Sequence, residues 1–265
     1  SWAQTYDLAI IGGRVLDPAN HIDDIRNIGV NNGQIVEVTR KKIKAKEVVN
    51  ASGFVVVPGF IDILATYPNQ DESAIFKVTD GVTSIVSMHG GPVDIRKWYG
   101  EIEKQGSYIH YGTTVGHASL RRAVGITDRN APATPDQLAS MLKLGEEALD
   151  AGAVGIGFGV QYVPGATREE VLKLFELAAS REVPCHLHVR YLGPNPPDNN
   201  SIAAIEEVIA GAAVTGASVQ VVHIGSMAGR SMTSVLWMID GARERGIDIM
   251  ADIYPYTAGS TRLQS

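Results

Sequence analysis

The hydrophobic pattern of this chain changes near Pro58, and the change separates two kinds of structure. Before it, short apolar runs are bounded by Gly and Asn, the pattern of half-buried strands. Tyr6 to Ile11 and Arg14 to Leu16 flank Gly12-Gly13, which reads as a tight turn. Ile25 to Val30 and Gln34 to Val38 flank Asn31-Asn32-Gly33, where Asn and Gly tolerate the positive φ of a hairpin. Phe54 to Val57 is a further apolar strand, ended by Pro58-Gly59. Residues 1–57 are therefore expected to form a small β unit, with no cluster of carboxylates or histidines in it.

After Pro58, short apolar runs alternate with amphipathic segments, the signature of βαβ units and a parallel sheet. The spacing predicts strands at Phe60–Ala65, Val82–Met88, Tyr108–Val115, Val154–Gly159, Cys185–Val189, Ser218–His223 and Ile247–Tyr254. Thr134 can cap a helix that starts at Pro135 and buries Leu138, Met141, Leu142 and Leu149. Thr167 with Glu170 reads as a capping box ahead of Val171, Leu174, Phe175 and Ala178. Ile202, Ile205, Val208 and Ile209 form a third stripe, and Val235, Leu236 and Ile239 a fourth. Seven such strands fit an α/β chain of the (β/α)8 TIM-like barrel class that is one strand short, over residues 58–265. A doubly wound open sheet gives the same periodicity. Gly155-Ile156-Gly157-Phe158-Gly159 lies inside a strand, so a dinucleotide-binding turn is a weak reading.

Composition narrows the partners. The chain has 265 residues, 45% hydrophobic, enough for one large core or two smaller ones. A net charge of −6 leaves no basic surplus for nucleic acid or an anionic membrane. The one basic run, Arg40 to Lys46, reads as a solvated hairpin face. The single cysteine, Cys185, excludes an internal disulfide and reads as a small buried hydrophobe. No apolar run is long enough to span a membrane. Ser1-Trp2-Ala3-Gln4 resembles the remnant of a cleaved secretory signal, which sets export, periplasmic or secreted, beside a cytoplasmic location.

The candidate chemistry lies in the histidines. Reactive groups of such barrels gather at the C-terminal ends of strands. His89, His117, His186, His188 and His223 all fall near predicted ends; His21 and His110 do not. His188 and His223 close consecutive strands, one strand–helix–strand step apart, so their imidazoles should be neighbours. Two neutral imidazoles there suit a borderline cation such as zinc; a hydrogen-bonded pair of core histidines fits the spacing equally. His186 shares the parity of His188 but sits deeper, where a packed, hydrogen-bonded role is expected. His89 could complete a set of three ligands or belong to an ordinary loop.

These segments resemble a family. The opening Tyr6-Asp7-Leu8-Ala9-Ile10-Ile11-Gly12-Gly13-Arg14-Val15-Leu16-Asp17-Pro18, then Val57-Pro58-Gly59-Phe60-Ile61-Asp62, then Asp80-Gly81-Val82-Thr83-Ser84, are similar to the amidohydrolase superfamily. Val115-Gly116-His117, Ile156 to Gly159 with Tyr162-Val163-Pro164-Gly165, His188-Val189-Arg190 and Tyr254 to Thr261 resemble its N-acyl-D-amino-acid deacylase (D-aminoacylase) branch. The resemblance implies a β-sandwich, whose N-terminal part would be residues 1–57, beside a metal-dependent hydrolase barrel. It also implies hydrolysis of a linear N-acyl amide on a D-amino acid, with a small-molecule substrate. The family's fifth- and sixth-strand histidines bind zinc and map onto His188 and His223, with His89 the best available third ligand.

The chain departs from the family pattern at four places. Where the family has His-x-His after Pro-Gly-Phe-Ile-Asp, this sequence reads Leu64-Ala65-Thr66, so one metal position is lost. His89 stands where a Cys or acidic residue is usual. The general-base Asp of the eighth strand is expected beyond Ser265, so no catalytic acid–base residue is assigned within this sequence. His223 also lacks the following Lys that helps hold the substrate carboxylate, which leaves Tyr254 or Tyr256, Arg190 and His117 as the substrate-binding candidates. One zinc ion is the expected cofactor, and homo-oligomerisation is left open. The rivals are a non-catalytic relative acting in binding or assembly, and a cyclic-amide hydrolase of dihydropyrimidinase type, which would need a fourth-strand Lys that Val154–Gly159 lacks.

Overall fold

The computed structural model describes residues 5–65, 71–193, 200–254 and 256–258, and divides into two compact units, Ser1–Phe60 and Ile61–Ser265. The expectations for Ser1 to Gln4, Thr66, Pro255 and Gly259 to Thr261 lie outside the described residues.

The first unit holds one five-stranded sheet: β1 (Thr5–Asp17), β2 (Ile22–Asn31), β3 (Gln34–Thr39), β4 (Lys44–Asn50) and β5 (Val55–Val56). Its order is β3-β2-β1-β4, with β5 also on β1. Asn32 (φ 51°) and Gly33 (φ 75°) form the hairpin turn between β2 and β3, as their sequence predicts. Gly12-Gly13, in contrast, is not a turn. β1 runs straight through it as a bulge, where the register on β2 shifts between Ile10 and Gly13 and the Asn27 side chain accepts the Gly12 N–H. The basic run is likewise not a hairpin. It leads from β3 to β4 on the far side of β1, where Lys46 pairs with Asp7 and Arg40 with Asp24.

The second unit alternates strand and helix. A three-stranded sheet contains β6 (Phe60–Asp62), β7 (Val82–Ser87) and β8 (His110–Thr113), with α1 (Asp71–Thr79) and α2 (Ile95–Gln105) between them. After Thr114 the chain joins a five-stranded parallel sheet. Its strands are β9 (Val115–Gly116), β10 (Ile156–Gly159), β11 (Cys185–His188), β12 (Val219–Val221) and β13 (Ile249–Ala251). The predicted third strand is thus split. Its first half pairs with β7 and its second with β10, and the Thr114 N–H donates to Ser87 O at the junction. Every predicted strand of this unit is present but shorter: most lose residues at the C-terminal tip to the loops there, whereas β10 keeps its predicted end at Gly159 and starts two residues later.

Helices α3 (His117–Ala123), α4 (Pro135–Asp150), α5 (Arg168–Ser180), α6 (Ser201–Thr215), α7 (Ile224–Ala228) and α8 (Met232–Glu244) complete the unit. Thr134 caps α4 with a reciprocal Gln137 bond, and Met141 and Ala148 enter the core. Thr167 caps α5 through the Glu170 N–H, but the Glu170 side chain does not return the bond; it is buried elsewhere. Leu236 is left partly in solvent, outside the stripe that Val235 and Ile239 bury. The core packs Val115, Ile156, Phe158, Cys185, Leu187, Val219 and Ile249 of the sheet against these helices. Burial pushes the Cys185 thiol up, so it acts as the apolar side chain its sequence context predicts. No described helix is long and apolar enough to cross a membrane.

Candidate metal centre

Three imidazoles meet over the C-terminal tips of β7, β11 and β12. His188 ends β11 and is 5% exposed. His223 follows β12 in a left-handed conformation (φ 38°, ψ 51°) that starts α7, and its N–H donates to the Asp252 carboxylate at 2.5 Å. That strained backbone is secured from the next strand, because the Gln220 amide donates to the same carboxylate at 2.9 Å.

His89 arrives differently, on the loop after β7, and glycines let it in. A Cβ at Gly157 would lie 2.7 Å from Met88 O and 2.8 Å from Gly90 N. At Gly116 it would meet the Gly91 backbone at 2.7 Å. Gly91 itself (φ 134°) leaves no room for a side chain against Thr114 O. The loop carrying His89 therefore lies directly on bare backbone of β9 and β10, and the glycine-rich β10 serves close approach rather than nucleotide binding.

The ring centroid of His89 lies 5.0 Å from that of His188 and 5.5 Å from that of His223. His188 Nδ1 and His223 Nε2 are 3.1 Å apart. Two nitrogens on one tetrahedral zinc, each at about 2.0–2.1 Å, would be separated by about 3.3 Å, so this pair already has the spacing of shared ligands. One nitrogen from each of the three rings falls within 4.8 Å of the others.

The other ring nitrogens fix the tautomers. His188 Nε2 lies 2.5 Å from Gln161 Oε1, an oxygen that only accepts, so Nε2 carries the proton. The Ser226 hydroxyl donates to the His223 carbonyl at 3.0 Å, which leaves its oxygen to accept from His223 Nδ1 at 3.0 Å. Both remaining nitrogens, His188 Nδ1 and His223 Nε2, then present lone pairs to each other. Two lone pairs repel unless a proton or a cation lies between them, and protonation is disfavoured. Burial, followed by the neighbouring imidazoles, lowers His188 to about 3 and His89 to about 4, and burial lowers His223 in the same direction. The donor set therefore fits a borderline cation such as zinc.

The triad forms one wall of a cavity of about 680 Å³, the size of a small-molecule site. Leu192 and Met227 give it an apolar side, Tyr162, Tyr254 and Tyr256 an aromatic one, and Arg129 its one cation; no acidic residue lines it among the described residues. Leu64, the residue that the sequence places where a metal-binding histidine is expected from the resemblance, lines the same cavity.

Two of the predicted substrate contacts lie elsewhere. The Arg190 guanidinium is held by Glu207 at 2.7 and 2.8 Å and by Ala166 O, behind the sheet between α5 and α6. The side chain two positions beyond a strand tip has already turned outward. His117 is fully buried, with Nε2 2.5 Å from Glu170 Oε1, and the same carboxylate receives Arg121 Nη1 at 2.7 Å. His186 is buried as expected, but its Nδ1 has no hydrogen-bond partner. Sequence reasoning missed Gln161, Ser226 and Arg129. The first two are visible only as the polar neighbours of strand ends, and Arg129 carries no signal at all, since it comes from a loop between two helices.

No protein-family model matches the chain. An N-acyl-D-glutamate deacylase of Alcaligenes xylosoxydans xylosoxydans is 30% identical over 97% of this chain and 58% of that protein. The crystal structure of N-acyl-D-glutamate deacylase from Bordetella bronchiseptica, complexed with zinc and a phosphonate mimic of the tetrahedral intermediate, superposes with a TM-score of 0.81. It is 27% identical over 96% of this chain and 59% of that one. A structure of D-aminoacylase, concerned with its binuclear metal centre and with one-metal activation and second-metal attenuation, gives a TM-score of 0.82 at 25% identity over 96% and 59%. The chain thus spans just under three fifths of the length of these proteins.

Proposed function

This chain is a relative of the N-acyl-D-amino-acid deacylases of the amidohydrolase type, and from that premise we propose that it is the metal-binding part of a hydrolase that cleaves the linear amide of an N-acyl-D-amino acid. One zinc ion, held by His188, His223 and His89 at the mouth of a (β/α)8 barrel, is its cofactor. The observation that carries the proposal is the pair of ring nitrogens, one from each of two consecutive strands, facing each other at 3.1 Å in a ligand-sized cavity.

Bound there, the ion would supply Lewis-acid polarisation of an amide carbonyl and of a water. The chain's own residues do the positioning. Gln161 and Ser226 hold the two imidazoles in the tautomers that can ligate. Burial keeps the rings neutral near pH 7, so a cation does not compete with protons for them. Tyr254 and Tyr256 offer hydroxyls to polar groups of a substrate, while Leu192 and Met227 take an apolar acyl group or side chain and keep water from it.

A second reading, a relative that binds ligands without catalysis, is favoured by one observation: Leu64 lines the cavity in place of a ligand. Zinc titration of the full-length protein, followed by a screen of N-acyl-D-amino acids, separates the two. The hydrolase reading expects one zinc per chain, lost in His188→Ala and His223→Ala, and release of free amino acid that tracks zinc occupancy. Stoichiometric zinc without turnover favours the binding protein. A stoichiometry near zero after zinc supplementation overturns the metal site itself.

A further inference from the structure

Arg129 stands out as an exposed guanidinium that no described acidic residue neutralises. It lies in the connection between α3 and α4, lines the cavity that holds the three imidazoles, and has no acidic partner among the described residues. The neighbouring Asp128 turns one carboxylate oxygen to Asn130, accepting its N–H at 2.9 Å, and forms no ion pair with Arg129. By comparison, Arg190 and Arg121, also near this end of the fold, are fully occupied by Glu207 and Glu170.

The segment that carries Arg129 is held firmly. Arg129 O accepts the Gly165 N–H at 2.9 Å. A Cβ on Gly165 would fall 2.3 Å from Asn130 C and 2.5 Å from Ala131 O, so the two backbones lie against each other in a way only glycine permits. Arg121, clamped by Glu170 through Nη1, turns Nη2 to the carbonyl of Ala131. The buried ion cluster thus ends on the backbone two residues from Arg129, and a fixed connection presents an unpaired guanidinium to a ligand-sized cavity.

We propose that Arg129 is a specificity-determining residue that receives a carboxylate of the substrate, and that the His117–Glu170–Arg121 cluster positions the segment presenting it. A guanidinium offers two parallel N–H donors that match a carboxylate, and no acid among the described residues of the cavity wall competes for them. The inference rests on the hydrolase reading for the ligand's class. The carboxylate could be the α-carboxylate or one on an acidic side chain.

The test is calorimetry on the zinc-loaded, full-length protein with N-mesyl-D-leucine, its carboxamide and N-mesyl-D-glutamate, sulfonamides that an amide hydrolase cannot turn over. The expected result is a preference for N-mesyl-D-leucine over its carboxamide of about tenfold or more, lost in Arg129→Gln and partly kept in Arg129→Lys. If Arg129→Gln instead removes only an additional affinity for N-mesyl-D-glutamate, the carboxylate is that of the side chain. Glu170→Gln should weaken carboxylate binding and leave zinc affinity and carboxamide binding unchanged, whereas a merely structural role would lower all three. The proposal is overturned if the wild-type protein prefers neither N-mesyl-D-leucine to its carboxamide nor N-mesyl-D-glutamate to N-mesyl-D-leucine, or if Arg129→Gln binds every carboxylate as the wild type does. Zinc binding and turnover with an unaffected Arg129→Gln leave the hydrolase reading standing alone. Carboxylate selection through Arg129 without zinc binding or turnover leaves the anion site standing and removes the hydrolase.

Discussion

Two histidine clusters lie within one unit of this chain and do opposite things with the same ring. At the cavity, His188 and His223 have neutral partners, Gln161 and Ser226, which use one nitrogen of each ring and leave the other as a lone pair. Some distance below, His117 has a charged partner. Glu170 takes its Nε2 and Arg121 completes the charge balance, in a site with no solvent exposure. The first arrangement leaves two ring nitrogens facing each other across a cavity wall; the second ties one ring nitrogen into a buried ion cluster and leaves His117 Nδ1 without a partner among the described residues. The partner of one ring nitrogen, neutral or charged, thus sets whether a histidine near a strand tip stays free to accept a cation or is locked into the core.

Arg121→Met is the harshest way to break the comparison. It strands the Glu170 carboxylate where water cannot reach, and removing one partner of a buried pair costs about 3–5 kcal/mol. Chemical denaturation should report that loss, while the three-histidine site of the protein that remains folded keeps its zinc affinity. Equal loss of both would mean that the clusters are not separable.

Gln161→Leu probes the other side with a smaller effect. Removing the acceptor of His188 Nε2 frees the wrong tautomer, and loss of such a supporting bond lowers metal affinity by about 10–100-fold. Global stability should change little. Unchanged zinc affinity would remove the tautomer argument from the site.

Acid gives the mildest test. Burial, outweighing the contribution of Glu170, lowers His117 below its ordinary 6.5, so the unfolded chain binds the proton first. Its contribution to stability is whole above about pH 6.5 and is lost as the pH falls below it. Burial alone would raise Glu170, but the bonds and charges of His117 and Arg121 prevail and hold it below 4.5. Its contribution is therefore present above that value and disappears at lower pH. In the zinc-free protein the triad adds in the same direction, since His89 and His188 are lowered to about 4 and about 3. Each group can contribute a slope of at most about 1.4 kcal/mol per pH unit. Stability measured from pH 7 to 5 should fall, less steeply in His117→Gln; a flat profile would contradict the neutral, buried state of these rings.

Much of this was legible from the residues alone. The order of strands and helices after Pro58, the cap at Thr134, the Asn32-Gly33 turn and the pairing of His188 with His223 all follow from local periodicity and from one strand–helix–strand step. Gly12-Gly13 was misleading because a bulge and a turn make the same demand for positive φ, and only pairing partners distinguish them. Glu170 was misleading because a capping acid and a buried counter-ion occupy the same place in a helix's first turn.

Sequence periodicity by itself determined which side chains arrive at the strand ends, because alternation along a strand and the length of one crossover are local quantities. Tertiary structure alone decided which of those side chains face the cavity. It turned Arg190 and His117 to buried carboxylates, brought His89 in over bare glycine backbone, and supplied Arg129 from an unrelated connection. The physical reason is that a polar side chain settles by what it can pair with in space. For Arg190 and His117 those partners, Glu207 and Glu170, lie 17 and 53 positions away along the chain.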